Sequence, residues 1–433
     1  MLIVSDHPTE SRAVASNLRR LDLDVQLALF DGKTLSAIPT QAPDAVLCHL
    51  TDYAERGPQL AKVVRSHFSP VPMPVIGAMS RPSENSSVEF DTTLFSPMHP
   101  SQIANRVNGM IRLGAMESEI GRRLATLSET FNFHPDLGDM TPNRRFRVLF
   151  IGKASPAFMV IINALQDKGV DVVAAFTSFS AFDYLHGEPF DAVVMNALEQ
   201  TEPAFSISEA MRRNSRLFHT PTLFLTDKKT FESHDAAYAK GAHDIIEVDA
   251  DPQEISGRIL ELANYHRVHE QLKTDFSALT TGIARDSSDT AFSREFMEAH
   301  VPRLLADAKT AGVPLTLMAL RLVSNSDSPV ETRDVADVAQ KVAALLGNLV
   351  RMQDVVSRWN AETFILAFYN TNRTEAEVIL NRIEALFESS IFEEDLSCEE
   401  KSAFKLEICI NQIDSETVPA RDILNDIAAK IGQ

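Results

Sequence analysis

Short apolar runs alternate with segments of helical spacing through the first two-thirds of the chain, and the whole alternation occurs twice. Met1-Leu-Ile-Val-Ser-Asp6 predicts a strand, residues 10–20 an amphipathic helix, and Val25 to Leu29 a second strand. Arg147-Val-Leu-Phe-Ile-Gly152, a helix over 156–167 and a strand from Val170 to Ala175 repeat that order. The third strands match most closely, Pro43-Asp-Ala-Val-Leu-Cys-His49 beside Phe190-Asp-Ala-Val-Val-Met-Asn196, 147 residues apart. Pro74 to Ser80 and Thr222 to Thr226 predict fourth strands, and Thr93 to Ser96 and Asp244 to Glu247 fifth strands. Each unit closes with a helix, about 100–127 and 252–272, and each helix has a proline at its start, as helix N-termini prefer. The polar stretch 128–144 reads as a linker.

Continuous apolar strands separated by helices imply a parallel sheet buried on both faces with right-handed crossovers, an α/β doubly wound fold of the flavodoxin-like type. The last segment has another order. Helix 292–311 precedes strand Leu315 to Leu322, helix 333–350, a hairpin near 354–368, helix 373–388, strand Phe404 to Ile410 and helix 419–431. Strands paired by a tight hairpin beside helices make an α+β domain. The expected organisation is 1–127, a linker 128–144, 145–272 and 273–433.

Composition narrows the function. With 44% hydrophobic and 23% charged residues the chain is globular, and a formal net charge of −19 argues against nucleic-acid binding, which needs a basic surface. No apolar run approaches the ~20 residues that cross a bilayer, and the N-terminus opens on a strand, so no membrane contact and a cytoplasmic location are expected. Cys48, Cys398 and Cys409 lack metal-ligand spacing and predict structural thiols.

The two repeats resemble response-regulator receiver domains. In that family an acidic pair after strand one binds Mg²⁺, an Asp ending strand three accepts phosphoryl, a Ser or Thr ends strand four and a Lys ends strand five. The resemblance places His49 and Asn196 at the acceptor positions. Only Asp6 remains of the first acidic pair, with Ser80 at the hydroxyl position and Ser96 near the Lys position; the second unit has Gly152-Lys153, Thr226 and Val248. An acyl phosphate needs a carboxylate nucleophile and a divalent ion to offset charge, so neither unit is expected to work by the standard mechanism. His49 reads as a hydrogen-bonded core or rim residue; phosphorylation on His49 or Asp52 stays open beside it, as does simple partner docking.

The third segment resembles the GGDEF domain of diguanylate cyclases, through Arg358-Trp-Asn-Ala-Glu-Thr-Phe364 where the family reads Arg-Tyr/Trp-Gly-Gly-Asp/Glu-Glu-Phe, and through Leu279-Thr-Thr-Gly-Ile-Ala-Arg285. Paired glycines at a hairpin tip let phosphate approach the backbone. Asn360 tolerates left-handed backbone, so the turn is expected to survive; Ala361 obstructs the approach. Arg321 and Val323 occupy the strand positions of the family's metal-binding Asp residues. A guanidinium in place of a carboxylate reverses the local charge, so Glu362, followed by Thr363, is not expected to hold a catalytic Mg²⁺ pair. Ser324 to Pro329 replaces the family's guanine-reading segment. No catalytic residue, no metal and no cyclase activity are expected.

Five residues separate the end of the run Arg351-Met-Gln-Asp354 from the tip at Asn360, the spacing of the family's inhibitory Arg-x-x-Asp site for cyclic di-GMP. An Arg fork can grip guanine O6/N7 or phosphate, and a carboxylate can accept the guanine N1–H and N2–H donors. Arg382, eighteen residues beyond Phe364, matches a second ligand-binding Arg of related cyclases. The bland alternative is a solvated Arg351–Asp354 ion pair worth about 0.5 kcal/mol. Receiver–receiver–GGDEF order with a lost active site and a retained ligand site resembles the family's inactive effectors. That resemblance implies cyclic di-GMP as ligand rather than cofactor, a homodimer, and a cell-pole protein that passes cell-cycle regulators, through an adaptor, to a ClpXP-type protease. The alternative is a weakly active cyclase or a GTP sensor.

Overall fold

The computed structural model describes residues 1–51, 54–79, 89–95, 98–137, 144–198, 201–227, 234–286, 291–324, 332–388, 404–413 and 419–431. The chain divides into two compact units, Met1–Gly114 with Asp139–Gln271, and Ala115–Gly138 with Leu272–Gln433.

The first unit holds both repeats. In the first, β1 (Leu2–Ser5), β2 (Gln26–Phe30), β3 (Leu35–Ser36), β4 (Val46–His49), β5 (Val75–Met79) and β6 (Thr92–Phe95) pair in the order β3-β2-β1-β4-β5-β6, parallel except for β3. Helices α1 (Pro8–Arg19), α2 (Gly57–Phe68) and α3 (Pro100–Phe131) connect or close them. Leu2, Val4, Val46 and Cys48 pack on one face while Ile3, Leu47 and Ile76 pack on the other, so each strand is apolar throughout. The second repeat orders β7 (Arg147–Ile151), β8 (Asp171–Ala175), β9 (Ala192–Asn196), β10 (Thr222–Thr226) and β11 (Asp244–Glu247) as β11-β10-β9-β7-β8, all parallel. Its helices are α4 (Pro156–Asp167), α5 (Ser178–Gly187), α6 (Glu202–Arg213), α7 (His234–Ala239) and α8 (Pro252–Leu279). The doubly wound parallel sheets expected from the strand pattern are both present.

The repeats differ where one connection changes. Thr177 and Ser180 form a capping box that starts α5, whereas the first repeat fills the same interval with the β2–β3 hairpin. A polar seam joins the two modules inside this unit. Gln102 donates to Asp244 (2.7 Å), Arg258 pairs with the same carboxylate (3.3 Å), and Thr92 and Thr93 donate to Glu261 (3.1 and 3.2 Å).

The second unit is a five-stranded sheet of order β12-β14-β15-β13-β16, with β12 (Phe292–Ser293), β13 (Leu315–Ser324), β14 (Val355–Arg358), β15 (Thr363–Tyr369) and β16 (Phe404–Ile413). Helices α9 (Arg294–Ala311), α10 (Thr332–Leu349), α11 (Arg373–Glu388) and α12 (Ala420–Lys430) cover it. Alternation along β13 and β15 sends Met318, Leu320, Phe364, Leu366 and Phe368 into one core with Val342 and Leu346 of α10 and Ile383 of α11. The C-terminal part of α3 belongs to this unit. It runs to Phe131, four residues into the stretch whose polarity predicts a linker, because Leu127 is fully buried and Phe131 stacks on Phe296 at 6.3 Å. No helix among the described residues is long and apolar enough to cross a membrane.

The matched strand openings Asp44 and Asp191 do different work. Asp191 is fully buried and accepts from Arg144 (3.0 and 2.7 Å), the Arg147 backbone N–H (2.8 Å) and Arg267 (3.3 Å), while Asp44 is exposed. Asp191→Ala strands buried guanidinium and amide donors and should cost about 3 kcal/mol. Hydrogen exchange of the β7 and β9 amides should then accelerate about 100-fold, with no more than about a two-fold change in β1 and β4 exchange for Asp44→Ala.

Candidate functional site

α10 ends at Leu349 and the chain turns sharply before entering β14. The turn is closed twice: the Asp354 N–H donates to the Arg351 carbonyl (3.0 Å), and the Arg351 N–H donates to Asp354 Oδ2 (2.9 Å). A carboxylate folded back on its own turn is what Asp does best at such positions. Asp354 is 6% exposed, whereas the Arg351 side chain is exposed and has no hydrogen-bond or ion-pair partner among the described residues. The structure therefore replaces the solvated Arg351–Asp354 ion pair by a backbone-to-carboxylate bond, with the guanidinium left unspent. Burial pushes the Asp354 carboxyl up to about 6, against the lowering effect of the Arg351 amide, the Arg351 charge and Arg123; Glu119 adds to the rise.

Under the turn lies a cluster that no sequence motif announces. Arg123 of α3 donates to the carbonyls of Met352 (3.0 Å) and Asp354 (2.9 Å), with its guanidinium over Phe276 and Phe292. Glu119, one turn earlier and fully buried, accepts from Arg122 (2.9 Å) and Arg123 (2.8 Å) and meets His300 Nε2 at 3.1 Å. Burial alone would raise Glu119; His300, Arg123 and Arg122 outweigh it and hold the carboxyl well below its ordinary range. Thr126 Oγ1 lies 2.9 Å from His300 Nδ1, and Arg122 reaches Asp307 (3.1 Å), so the cluster is satisfied at its edges.

Arg382 is exposed on α11, without a partner among the described residues and without a hydrogen bond or ion pair to Arg351 or Asp354. The three ligand residues singled out from the sequence are thus two in one turn and a third on a separate helix of the same unit.

At the hairpin tip, Trp359 N–H donates to Thr363 O (2.8 Å), and Asn360 Oδ1 accepts from the amides of Glu362 (3.0 Å) and Thr363 (2.9 Å). Asn360 is not among the residues of positive φ, so the turn survives through its side-chain oxygen and not through left-handed backbone. Ala361 is exposed at the tip, with its carbonyl bound by Arg358 (3.0 Å). Thr363 is buried opposite Arg321 in the β13–β15 register, and Arg321 Nη2 lies 3.6 Å from Glu362 Oε2. Arg358 also pairs with Asp286 (3.3 Å), and Trp359 is buried beneath the Arg294 guanidinium at 4.0 Å. Among the described residues no group of three His, Cys, Asp or Glu side chains could hold a metal ion. The segment 325–331 lies outside the described residues.

In the receiver-like modules His49 ends β4, 6% exposed, 4.0 Å from Glu10, with a buried Nδ1 that has no hydrogen-bond partner among the described residues. Burial lowers its pKa, with Glu10 and Asp6 opposing, so the ring favours the neutral form. Both Asp6 oxygens lie 3.0 Å from the Thr51 N–H. Asn196 donates to Lys153 O (3.2 Å) and accepts from Leu198 N–H (3.1 Å). Gly152 sits at φ +132°, and a Cβ there would come 2.6 Å from Asn196 Cβ, so the position requires glycine. Thr226 is buried; Asp52, Ser80 and Ser96 lie outside the described residues.

The Arg123 clamp makes a testable claim. Arg123→Ala frees two carbonyls and leaves Glu119 short of a partner in a dry site, which should cost about 3 kcal/mol. Arg303→Ala, which breaks the more open pair with Glu129, should cost about 0.5 kcal/mol. Urea unfolding followed by the fluorescence of Trp359, the one tryptophan of the chain, reads this unit directly.

The family described as Diguanylate cyclase, GGDEF domain, matches residues 333–427. Response regulator PleD of Caulobacter vibrioides is 24% identical over 208 residues, 48% of this chain and 46% of that protein. The chain thus spans about half the length of the curated relatives it matches. Among solved structures, the GGDEF domain of FimX from Pseudomonas aeruginosa is 19% identical, covering 34% of this chain and 91% of that one with a TM-score of 0.30. The GGDEF domain of DgcB from Caulobacter crescentus, solved in complex with c-di-GMP, is 13% identical over 35% and 87% with a TM-score of 0.29. A putative response regulator from Chloroflexus aurantiacus is 18% identical over 28% and 98% with a TM-score of 0.26. Residues 333–427 match the GGDEF-domain model of the diguanylate cyclases, and about half of the chain is similar in sequence to the response regulator PleD.

Proposed function

We propose that this chain is a cyclic di-GMP effector, two receiver-like modules (1–127 and 145–272) followed by a GGDEF domain (273–433) that binds the dinucleotide and does not synthesise it. The observation that carries the reading is the Arg351–Asp354 turn: its backbone is closed and clamped from below, yet its guanidinium is exposed and has no partner among the described residues. A rigid turn presenting an Arg fork and one carboxylate oxygen that have no partner among the described residues suits the Hoogsteen edge of one guanine or a phosphate together with an N1–H/N2–H edge. Arg382 supplies a second cation on α11 that has no partner among the described residues. Loss of synthesis is supported by the tip, where Asn360 takes the amides that a triphosphate needs and Arg321 stands beside Glu362 where a divalent ion would have to bind.

Retention of Arg351 and Asp354 beside such a tip resembles PopA, the inactive paralogue of PleD. By that resemblance the liganded form recruits protein partners at the cell pole, through an adaptor to a ClpXP-type protease, and works as a homodimer. Ligand binding selects the arrangement that a partner recognises.

Calorimetric titration should give micromolar or tighter binding of cyclic di-GMP, lost in Arg351→Gly, while GTP with Mg²⁺ neither binds comparably nor yields cyclic di-GMP. Absence of cyclic di-GMP binding, or turnover of GTP above a blank, overturns the reading.

The pH dependence follows from Asp354. Its folded pKa of about 6 lies above the ordinary 3.8, so its contribution to stability is present below about 4 and lost as pH rises through 6. Ligand donors need the ionised form, so cyclic di-GMP affinity should run the other way, about ten-fold weaker at pH 5 than at pH 7.5. Asp354→Asn should bind more weakly and lose that pH step, which titration at both pH values checks.

A further inference from the structure

Between α3 and the α6–α8 flank of the second receiver-like module, wholly inside the first unit, lies a cavity of about 300 Å³. In a chain of formal charge −19 its lining contains Arg106, Arg112 and Arg212 and no carboxylate. Arg212 is the telling residue. Its two terminal nitrogens donate to the carbonyls of Phe218 and Thr220, its Nε is buried without a partner, and no carboxylate pairs with it among the described residues. Burial without a counter-charge pulls its pKa down to about 10. The backbone is shaped around this side chain: Gly241 has φ +98°, and a Cβ there would stand 2.8 Å from Arg212 Cγ.

His243 adds a neutral donor. Its Nδ1 accepts the Thr222 N–H (3.1 Å), so the ring proton sits on Nε2. Its pKa is held well below the usual value by burial first, then by Arg212, Arg106, His266 and His219, every one of them a positive or potentially positive group. Arg106, 8% exposed, spends one nitrogen on Thr92 (3.0 Å) and shares the field of Asp244, which Arg258 and Gln102 already occupy. Arg112 is exposed at the rim and has no partner among the described residues. Phe218, Tyr238 and Tyr265 provide flat apolar walls.

We propose that this cavity binds a small phosphomonoester carrying a planar ring, with the phosphate between Arg106, Arg112 and Arg212 and the ring against the aromatic walls. Two negative charges on a compact head match three guanidinium groups that lack an acidic partner within the pocket, and Arg forks suit phosphate oxygens in pairs. The volume is at the lower end of small-ligand sites. A ligand here touches α3 of one module and α6 and α8 of the other, so occupancy braces the polar seam of a pair whose acceptor positions are His49 and Asn196.

The test is calorimetric titration of the full chain with adenosine monophosphate, inorganic phosphate and succinate at matched ionic strength. Adenosine monophosphate lacks the guanine edge suited to the Arg351 turn, so the two sites are told apart. Expected are sub-millimolar binding of adenosine monophosphate, at least ten-fold weaker binding of inorganic phosphate and succinate, and at least a ten-fold loss in Arg212→Gln. Arg112→Glu, at an exposed position where folding is not at stake, should show the same loss, and Arg351→Gly should bind normally. No binding to the native chain, equal binding of all three probes, or unchanged affinity in Arg112→Glu overturns the proposal.

Discussion

A carboxylate removed from water costs several kcal/mol unless cations and donors replace its hydration, and Glu119 is wholly removed from water. Arg122, Arg123 and His300 replace it, and the arrangement works only if all of them are held in place. Arg123, fixed by Glu119 on one side, is thereby aimed at the carbonyls on either side of Gln353. The geometry of the Arg351–Asp354 turn thus depends on a buried ion cluster supplied by a helix more than two hundred residues earlier in the chain. Because a half-satisfied cluster is worse than none, the turn and the helix are kept or lost together.

The hairpin next to this turn is settled by competition for the same few groups. A tip that cradles phosphate must leave its amides open, and here a single oxygen of Asn360 closes two of them. A metal site must leave carboxylate oxygens open, and Arg321 lies within ion-pair distance of the one carboxylate the tip offers. That pair is partly exposed and adds little to stability, about 0–1 kcal/mol, so its consequence is electrostatic: a divalent ion would meet a positive charge. Arg351 and Arg382 stand in contrast, since nothing within the described chain has taken their guanidinium groups.

Much of the fold was legible because the strands are short, apolar on both faces and repeated, a pattern only buried parallel sheets produce. Boundaries were less so: the polarity of residues 128–131 reads as linker, although Phe131 stacks on Phe296 and extends α3. At the candidate site, spacing from the hairpin singled out Arg351 and Asp354, but not that Asp354 folds back on its own turn, since burial and a backbone bond are tertiary facts. Glu119 and Arg123 follow an i, i+4 pattern that most often marks a solvated helix face. Their partner His300 lies in another helix, so the sequence carried the pair without saying that it was buried. The cavity at Arg212 is legible still less, being assembled from α3, α6 and α8 with no common motif.

The two modules show how one repeat can keep a fold while the residues at corresponding strand ends differ and are held by different hydrogen bonds. At the end of β9 Asn196 commits both ends of its amide to backbone, and Gly152 is held at a φ that only glycine adopts freely so that the side chain fits. At the end of β4 His49 is buried, with one ring nitrogen unpaired among the described residues and burial favouring its neutral form, while Asp6 is turned toward the Thr51 amide. What the modules keep is their seam, Gln102 and Arg258 on Asp244 and the threonine pair on Glu261, whose hydrogen bonds join the ends of two sheets. Polar seams of this kind fix register more than they add stability, because each hydrogen bond is made in only one relative arrangement of the two modules.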